Sequence, residues 1–229
     1  MFSHLAKILF VFLLVAVIPA LSHVTARASR IRLVPRLSLY SSAVVSQWLL
    51  AGVGMLVAFW SSHDLLAAMF RFVPLRVMLL WAGALAVGAL GGLAVESVLE
   101  RRGWWPAESE LVYLLIPETR REKLWAVLVL APTAAFCEEF LYRGYLLGLL
   151  GQWSHSLPLS WGASSVAFGL AHVYQGWAGM IRAAVLGALL AYPVVHLGSL
   201  YPSMLAHGLI DAFALGWLGP RLMRSRLVA

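Results

Sequence analysis

Residues 124–150 read LWAVLVLAPTAAFCEEFLYRGYLLGLL. Apart from Glu138, Glu139 and Arg143 the run carries no charge, and it exceeds the roughly 20 helical residues that cross a hydrocarbon core of about 30 Å. Such a run is either a membrane span or the buried centre of a large soluble domain. Its surroundings decide between the two. Apolar runs recur on both sides, at 5–22, 43–60, 75–95, 161–177, 181–197 and 200–218. Of the 229 residues 62% are hydrophobic and 12% charged, where an ordinary soluble domain carries roughly 25% charged residues. A water-soluble core cannot absorb that much apolar surface. The sequence therefore predicts an all-α protein, a polytopic bundle of about seven transmembrane helices, with residues 1–229 forming one integral membrane domain.

The formal net charge of +7 does not mark a nucleic-acid surface, because the basic residues sit in short tracts beside apolar runs and form no single patch. The expected surroundings are a lipid bilayer. Arg27, Arg30, Arg32 and Arg36 lie between the first and second runs; Arg101, Arg102, Arg120, Arg121 and Lys123 lie between the third and fourth. These connections alternate to share one face of the membrane, together with Arg182 and with Arg221, Arg224 and Arg226 of the tail. Only Lys7, Arg71 and Arg76 fall on the other. Positive-inside bias then puts the N-terminus outside and the C-terminus in the cytoplasm of a multi-pass cell-membrane protein. The first run also resembles a signal peptide, with its lone Lys7 followed by an apolar stretch and Val24, Thr25 and Ala26 as a small-residue cleavage site. The charge alternation works with it in place, and it is read as a retained helix.

Trp60, Trp104, Trp105, Trp125, Trp153 and Trp161 fall near run ends, where an indole sits well at headgroup level. Gly88 with Gly92, and Gly144 with Gly148, are small residues four apart of the kind that lets helices approach. The connection over 96–123 holds most of the acidic residues and reads as a solvated loop, with an interfacial helix around Trp104 and Trp105. Cys137 is the single cysteine, which excludes an internal disulfide and any CxxC pair.

The residues that do not belong in a membrane are Glu138, Glu139, Arg143, His172, His207 and Asp211. A charged side chain at the bilayer centre costs about 2.5–3.5 kcal/mol even on lenient insertion scales, so these groups are expected to converge on a polar cavity inside the bundle. Glu139 and Arg143 are four apart and share a helix face, as do His207 and Asp211. Glu138 is turned from Glu139 by about 100° and stays free for other work. His172 stands on a third helix. His4, His23, His63, His155 and His196 lie in loops or at run ends and are read as non-catalytic.

These residues resemble the motifs of the CPBP intramembrane proteases, a family that includes CAAX prenyl endopeptidases and the Abi bacteriocin-processing and immunity proteins. Residues 138–144, EEFLYRG, look like the family's EExxxR motif with its following glycine, and residues 168–172, FGLAH, fit FxxxH. His207 fits the third motif, but Asp211 stands where the family usually has Asn. The resemblance covers about 124–218, the expected catalytic half. It implies a glutamate-dependent endopeptidase acting on a membrane-associated protein or peptide, without a covalent acyl intermediate and without a cofactor. Glu138 and His172 would activate the attacking water, Glu139 and Arg143 would order the site, and His207 with position 211 would bind the oxyanion. An ionised Asp211 cannot donate a hydrogen bond, so its expected part is to hold His207 in tautomer and charge.

Two other readings compete. Two histidines and a carboxylate can ligate a catalytic zinc, although no HExxH spacing is present. A non-enzymatic transporter or immunity protein would use the same buried charges as a proton or ion relay. The arginine asymmetry itself generates a first prediction: a reporter fused after Val228 will be cytoplasmic, and cysteines introduced into the uncharged connection 151–160 will react with an impermeant thiol reagent from outside. An extracytoplasmic C-terminus would contradict the alternation.

Overall fold

A computed structural model describes residues 2–27, 34–61, 69–106 and 109–219. Eight helices make up the described part. Helix α1 runs over Phe2–Phe12 and continues through a π-turn, Leu13–Val17, into Ile18–Arg27. Helices α2 (Arg36–Ser61) and α3 (Leu75–Arg101) follow, then the short α4 (Glu110–Leu115). The long α5 begins at Arg120–Trp125, passes a π-turn at Ala126–Leu130, returns to α geometry over Ala131–Glu138, turns π again over Glu139–Leu146 and ends with Leu147–Ser154. Helix α6 spans Leu157–Ala171, α7 Gly176–Leu197, and α8 Tyr201–Phe213 with a π-turn at Ala214–Leu218.

Each of the seven apolar runs thus holds a helix, and five of the helices are long and apolar enough to cross a membrane. No strand occurs among the described residues; an isolated antiparallel bridge joins Phe70 to Ser199. The outer surface is apolar, with Leu49, Leu56, Leu80, Val87, Leu128 and Val185 all exposed. Water would not tolerate so continuous a belt, whereas lipid requires it. The protein is a multi-pass membrane protein.

Two connections differ from the sequence reading. Residues 161–177 were expected as one span, but α6 stops at Ala171, and a 3₁₀ turn, Val173–Gln175, leads into Gly176 at φ 81°. The apolar Val173 and Tyr174 masked this turn in the hydropathy, while Gly176 alone supplies the left-handed backbone it needs. The helix expected around Trp104 and Trp105 is α4 instead. Glu96 and Glu100 are not in a loop but on the last turns of α3. The start of α5 is fixed by a capping box, in which Glu122 N–H donates to Thr119 Oγ1 at 3.2 Å and Thr119 N–H to Glu122 Oε2 at 3.0 Å. Residues 28–33, 62–68, 107–108 and 220–229, which include Arg30, Arg32, His63 and the tail arginines Arg221, Arg224 and Arg226, lie outside the described residues.

Connections expected on the same face meet. Arg36 pairs with Glu118 at 2.7 Å, and Arg182 at the start of α7 pairs with Glu96 at the end of α3 at 3.2 Å. On the opposite face the Phe70–Ser199 bridge, with Leu200 N–H donating to Met69 O at 3.1 Å, ties two further connections. Exposed pairs of this kind are worth roughly 0–1 kcal/mol each, so they record the arrangement more than they hold it.

The centre of the bundle is α5. Half of its apolar stretch is buried inside the protein, against 11–17% for α1, α2 and α3. Helix α1 reaches it through Phe10 and Leu14, both buried, with Phe10 edge-on to Tyr145 at 5.1 Å. Helices α6 and α7 approach most closely at Gly169, where an added Cβ would lie 2.8 Å from Ala184 Cβ and 2.8 Å from the Met180 carbonyl oxygen. Buried serines on α6 satisfy their hydroxyls locally, as when Ser165 Oγ donates to Trp161 O at 2.8 Å. By contrast Gly88 and Gly92 have nothing within 4 Å of an added Cβ. Gly169→Ala is therefore expected to overpack the α6–α7 seam, destabilising by about 1–3 kcal/mol, while Gly92→Ala leaves stability unchanged. Thermal midpoints of the two purified variants in one detergent test this, and equal midpoints would remove Gly169 from the seam.

Candidate active site

The six intramembrane ionisable residues come from three helices and converge. Glu138 closes the α segment of α5, and Glu139 opens the π-turn that carries Arg143. A π-turn inside a helix rotates the following side chains relative to the regular register and recurs at functional sites. His172 sits where α6 ends, outside helical geometry at φ −96° and ψ 14°. His207 and Asp211 follow each other one turn apart on α8.

The group divides into a sealed part and an accessible part. Side chains of Glu139, Arg143 and His207 are 0%, 1% and 4% exposed, whereas Glu138 and His172 are 16% and Asp211 31% exposed. In the sealed part, His207 Nδ1 lies 2.7 Å from Glu139 Oε1. Arg143 Nη1 stands 3.1 Å from that same oxygen, close enough for a charge pair although without the alignment of a hydrogen bond. The guanidinium lies over the ring of Phe168, with Cζ 3.9 Å from the centroid, and its Nε contacts Gly187 O at 3.4 Å. A Cβ at Gly187 would meet Arg143 Nη2 at 3.2 Å, so the glycine leaves room for the guanidinium.

In the accessible part, Glu138 Oε1 accepts a hydrogen bond from Gln47 Nε2 at 2.7 Å. Its other oxygen, Oε2, faces both histidines, 3.9 Å from His172 Nε2 and 3.8 Å from His207 Nε2. These separations are too long for direct hydrogen bonds and suit a bridging water or hydroxyl. His172 Nδ1 donates to the Phe168 carbonyl at 2.8 Å. A carbonyl only accepts, so the proton is on Nδ1 and, in the neutral ring, Nε2 presents a lone pair toward Glu138. Asp211 Oδ2 lies 3.4 Å from His207 Nε2.

All six residues singled out from the sequence meet here. The orienting partner of His207 differs from expectation: Glu139 holds Nδ1, and Asp211 faces the same Nε2 edge as Glu138. The reason is that Glu139 reaches from α5 across to α8, where its Oε1 takes Nδ1 while staying beside Arg143. Sequence reasoning missed Gln47, Phe168 as the platform under Arg143, and Gly187. A polar amide within the run 43–60 was a visible signal for the first, and the FxxxH motif named Phe168 without telling its partner; no signal marked Gly187. His155 caps α5 in left-handed geometry at φ 51°, and His196 stacks on Tyr192 at 3.9 Å, each occupied at a helix end.

Among the described residues no group of three or more His, Cys, Asp and Glu side chains is arranged to hold a metal ion. Both ring nitrogens of His207 face carboxylates, and Nδ1 of His172 is committed to a carbonyl. Breaking a buried ion pair by removing one partner costs about 3–5 kcal/mol. Glu139→Gln, which leaves Arg143 and His207 without their shared anion, is therefore expected to lower the thermal midpoint of the purified protein sharply. Glu138→Gln, at the accessible edge, should leave it near wild type. Equal midpoints for the two variants would show that the sealed pair is not structural.

Residues 120–213 match the family model described as Rce1-like, type II CAAX prenyl endopeptidase. No curated protein and no solved structure matches the chain. The matched segment contains EEFLYRG, FGLAH, His207 and Asp211, and the family is one of CAAX-type proteases of membranes. Through this segment and the motifs it gathers, residues 120–213 are similar to the CPBP family of intramembrane proteases.

Proposed function

We propose that this chain is an intramembrane endopeptidase that hydrolyses a peptide bond of a membrane-associated substrate with a water activated by Glu138. The observation that carries the reading is the placement of Glu138 Oε2 opposite two imidazole nitrogens, at 3.9 and 3.8 Å. One oxygen atom of a water fits between them, donating to the carboxylate and to the lone pair of His172 Nε2. The C-terminal half, about 124–218, carries this chemistry within one membrane domain.

In the first step Glu138 takes a proton as the water oxygen bonds to the scissile carbonyl carbon. The carbonyl π pair moves to oxygen, giving a tetrahedral oxyanion. With His207 Nδ1 donating to Glu139, Nε2 donates to this oxyanion when the ring is an imidazolium. In the second step the C–N bond breaks and Glu138 returns its proton to the leaving nitrogen. The immediate products are a carboxylic acid and an amine, which exchange a proton to leave as carboxylate and ammonium, with no acyl-enzyme. Arg143 touches none of the reacting atoms; it compensates Glu139, which in turn aims His207.

The arginine asymmetry supports an N-terminus outside and a cytoplasmic C-terminus. With that orientation α6 descends from the outer connection, so His172 and the turn after it belong to the cytoplasmic half of the membrane. Substrates would then be cleaved near their cytoplasmic ends, as suits a lipid-anchored or membrane-bound tail.

The test is cleavage of a fluorescence-quenched farnesylated peptide ending in a CAAX sequence by purified protein, together with membrane proteomics of cells carrying wild type or Glu138→Gln. Glu138→Gln should lower kcat by about 10²–10⁴-fold. His207→Ala should lose about 10²–10³-fold, the usual worth of an oxyanion donor. Asp211→Asn should lose less than either and less than Asp211→Ala, since an amide can accept from or donate at the same place. Bound metal is measured on the same samples. A zinc-loaded wild type beside an inactive, zinc-depleted Asp211→Asn would replace the glutamate mechanism by a zinc one. Full activity of Glu138→Gln would remove Glu138 as the base.

A further inference from the structure

We infer that Gln47, on α2, is a positioning residue for the base: it anchors one oxygen of Glu138 so that the other is turned toward the two imidazoles. This rests on the reading of Glu138 as the base and adds to it a part of the chain that lies outside the matched segment 120–213.

The geometry starts from α2 itself. Tyr40, Ala51, Gly54 and Ala58 are its buried residues, and Gln47 lies on the same face by its spacing from them. Tyr40 ends the face by donating its hydroxyl to Leu115 O at 2.8 Å. Above it the face is narrow, and an added Cβ on Gly54 would press on Phe10 and on Leu141 Cδ2, the latter at 3.2 Å. Gln47 is thus a carboxamide on a face otherwise built for close packing against α5. A polar group in a membrane span is costly unless bonded. Its Nε2 donates to Glu138 Oε1 at 2.7 Å, while its Oε1 is buried without a hydrogen-bond partner. Only the amide nitrogen can face an ionised carboxylate, because two acceptor oxygens at that distance repel.

The donor is delivered by a rigid element. The next residue, Trp48, donates Nε1 to Thr133 Oγ1 at 3.3 Å and stacks on Phe136, with centroids 5.2 Å apart and rings inclined by 23°. Thr133 and Phe136 lie within the five residues of α5 that precede Glu138. Helices α2 and α5 are therefore clamped beside the base, and the amide cannot follow the carboxylate if it rotates. Held at Oε1, the carboxylate keeps Oε2 toward His172 and His207; released, it turns freely about its terminal bond. Supporting groups locked by packing are what hold a reacting group to within a fraction of an ångström.

The test compares wild type, Gln47→Met, Glu138→Gln and the double variant, all purified as full chains. Methionine keeps the length of the side chain and removes the donor. On the farnesylated CAAX peptide, Gln47→Met should lower kcat about tenfold, in line with the loss of a hydrogen bond to a charged group. KM and the thermal midpoint should stay at wild-type values. In the Glu138→Gln background the same change should add no further loss.

A second readout does not depend on turnover. Dicyclohexylcarbodiimide reacts from the membrane with protonated carboxyl groups, whereas the Gln47 N–H bonds the ionised one, so the labelling rate of Glu138, mapped by mass spectrometry, should rise about threefold or more in Gln47→Met. Unchanged labelling overturns the inference whatever the effect on kcat, and a wild-type kcat with changed labelling overturns it as well. Equal cleavage by wild type and Glu138→Gln would instead strike the assignment of the base. If wild type leaves the peptide uncut, the labelling alone decides the part assigned to Gln47.

Discussion

The arrangement depends on one buried anion. Glu139 is fully enclosed, and an isolated carboxylate in that setting is several kcal/mol too costly to exist. It persists because Arg143 and His207 both bear on its Oε1, at 3.1 and 2.7 Å. Those partners bring their own demands. Arg143 needs the face of Phe168 on α6 and the space left by Gly187 on α7; His207 brings α8. One compensated charge thus requires four helices to meet at one depth. In a membrane, where burial of apolar surface gives no net drive between helices, such a polar knot fixes how they pack.

The same knot separates two tasks that adjacent glutamates would otherwise share. Glu139 faces inward, and Glu138, one position earlier and about 100° around the helix, faces the accessible side. Neighbouring residues of one type therefore sit in different surroundings, the first hydrogen-bonded by an amide and the second held between a guanidinium and an imidazole. Phe168 joins the two sides. Its ring supports the guanidinium, its carbonyl fixes the tautomer of His172, and its ring stands at 88° to that of His207 with centroids 6.2 Å apart. The FxxxH spacing places a platform and an imidazole on consecutive turns of one helix, which explains why an aromatic residue belongs to the motif.

How much of this was legible follows from what hydropathy and spacing can carry. Helices over the seven runs, although the one at 161–177 stops early, and the convergence of the six ionisable residues follow from composition and spacing, and they survive in three dimensions. The end of α6 was not legible, because Val173 and Tyr174 are as apolar as the helix they leave, and only Gly176 marks the turn. The partner of His207 was not legible either. Spacing of four on α8 pointed to Asp211, and no one-dimensional pattern tells that Glu139 reaches across from another helix 68 residues earlier. Gln47 was visible as a polar residue in a span, but its partner lies 91 residues away.

Helix α6 has 15 residues, so at about 1.5 Å per residue it is roughly 22 Å long. The hydrocarbon layer is nearer 30 Å. A rod that stops short obliges the lipid around it to thin, or headgroups and water to dip toward its end, and the residue standing at that end is His172. Under the proposed mechanism, the hydrolytic water would reach His172 from that end of the bundle. Hydrophobic mismatch would then lower the aqueous boundary toward the site and make bilayer thickness a variable of the chemistry.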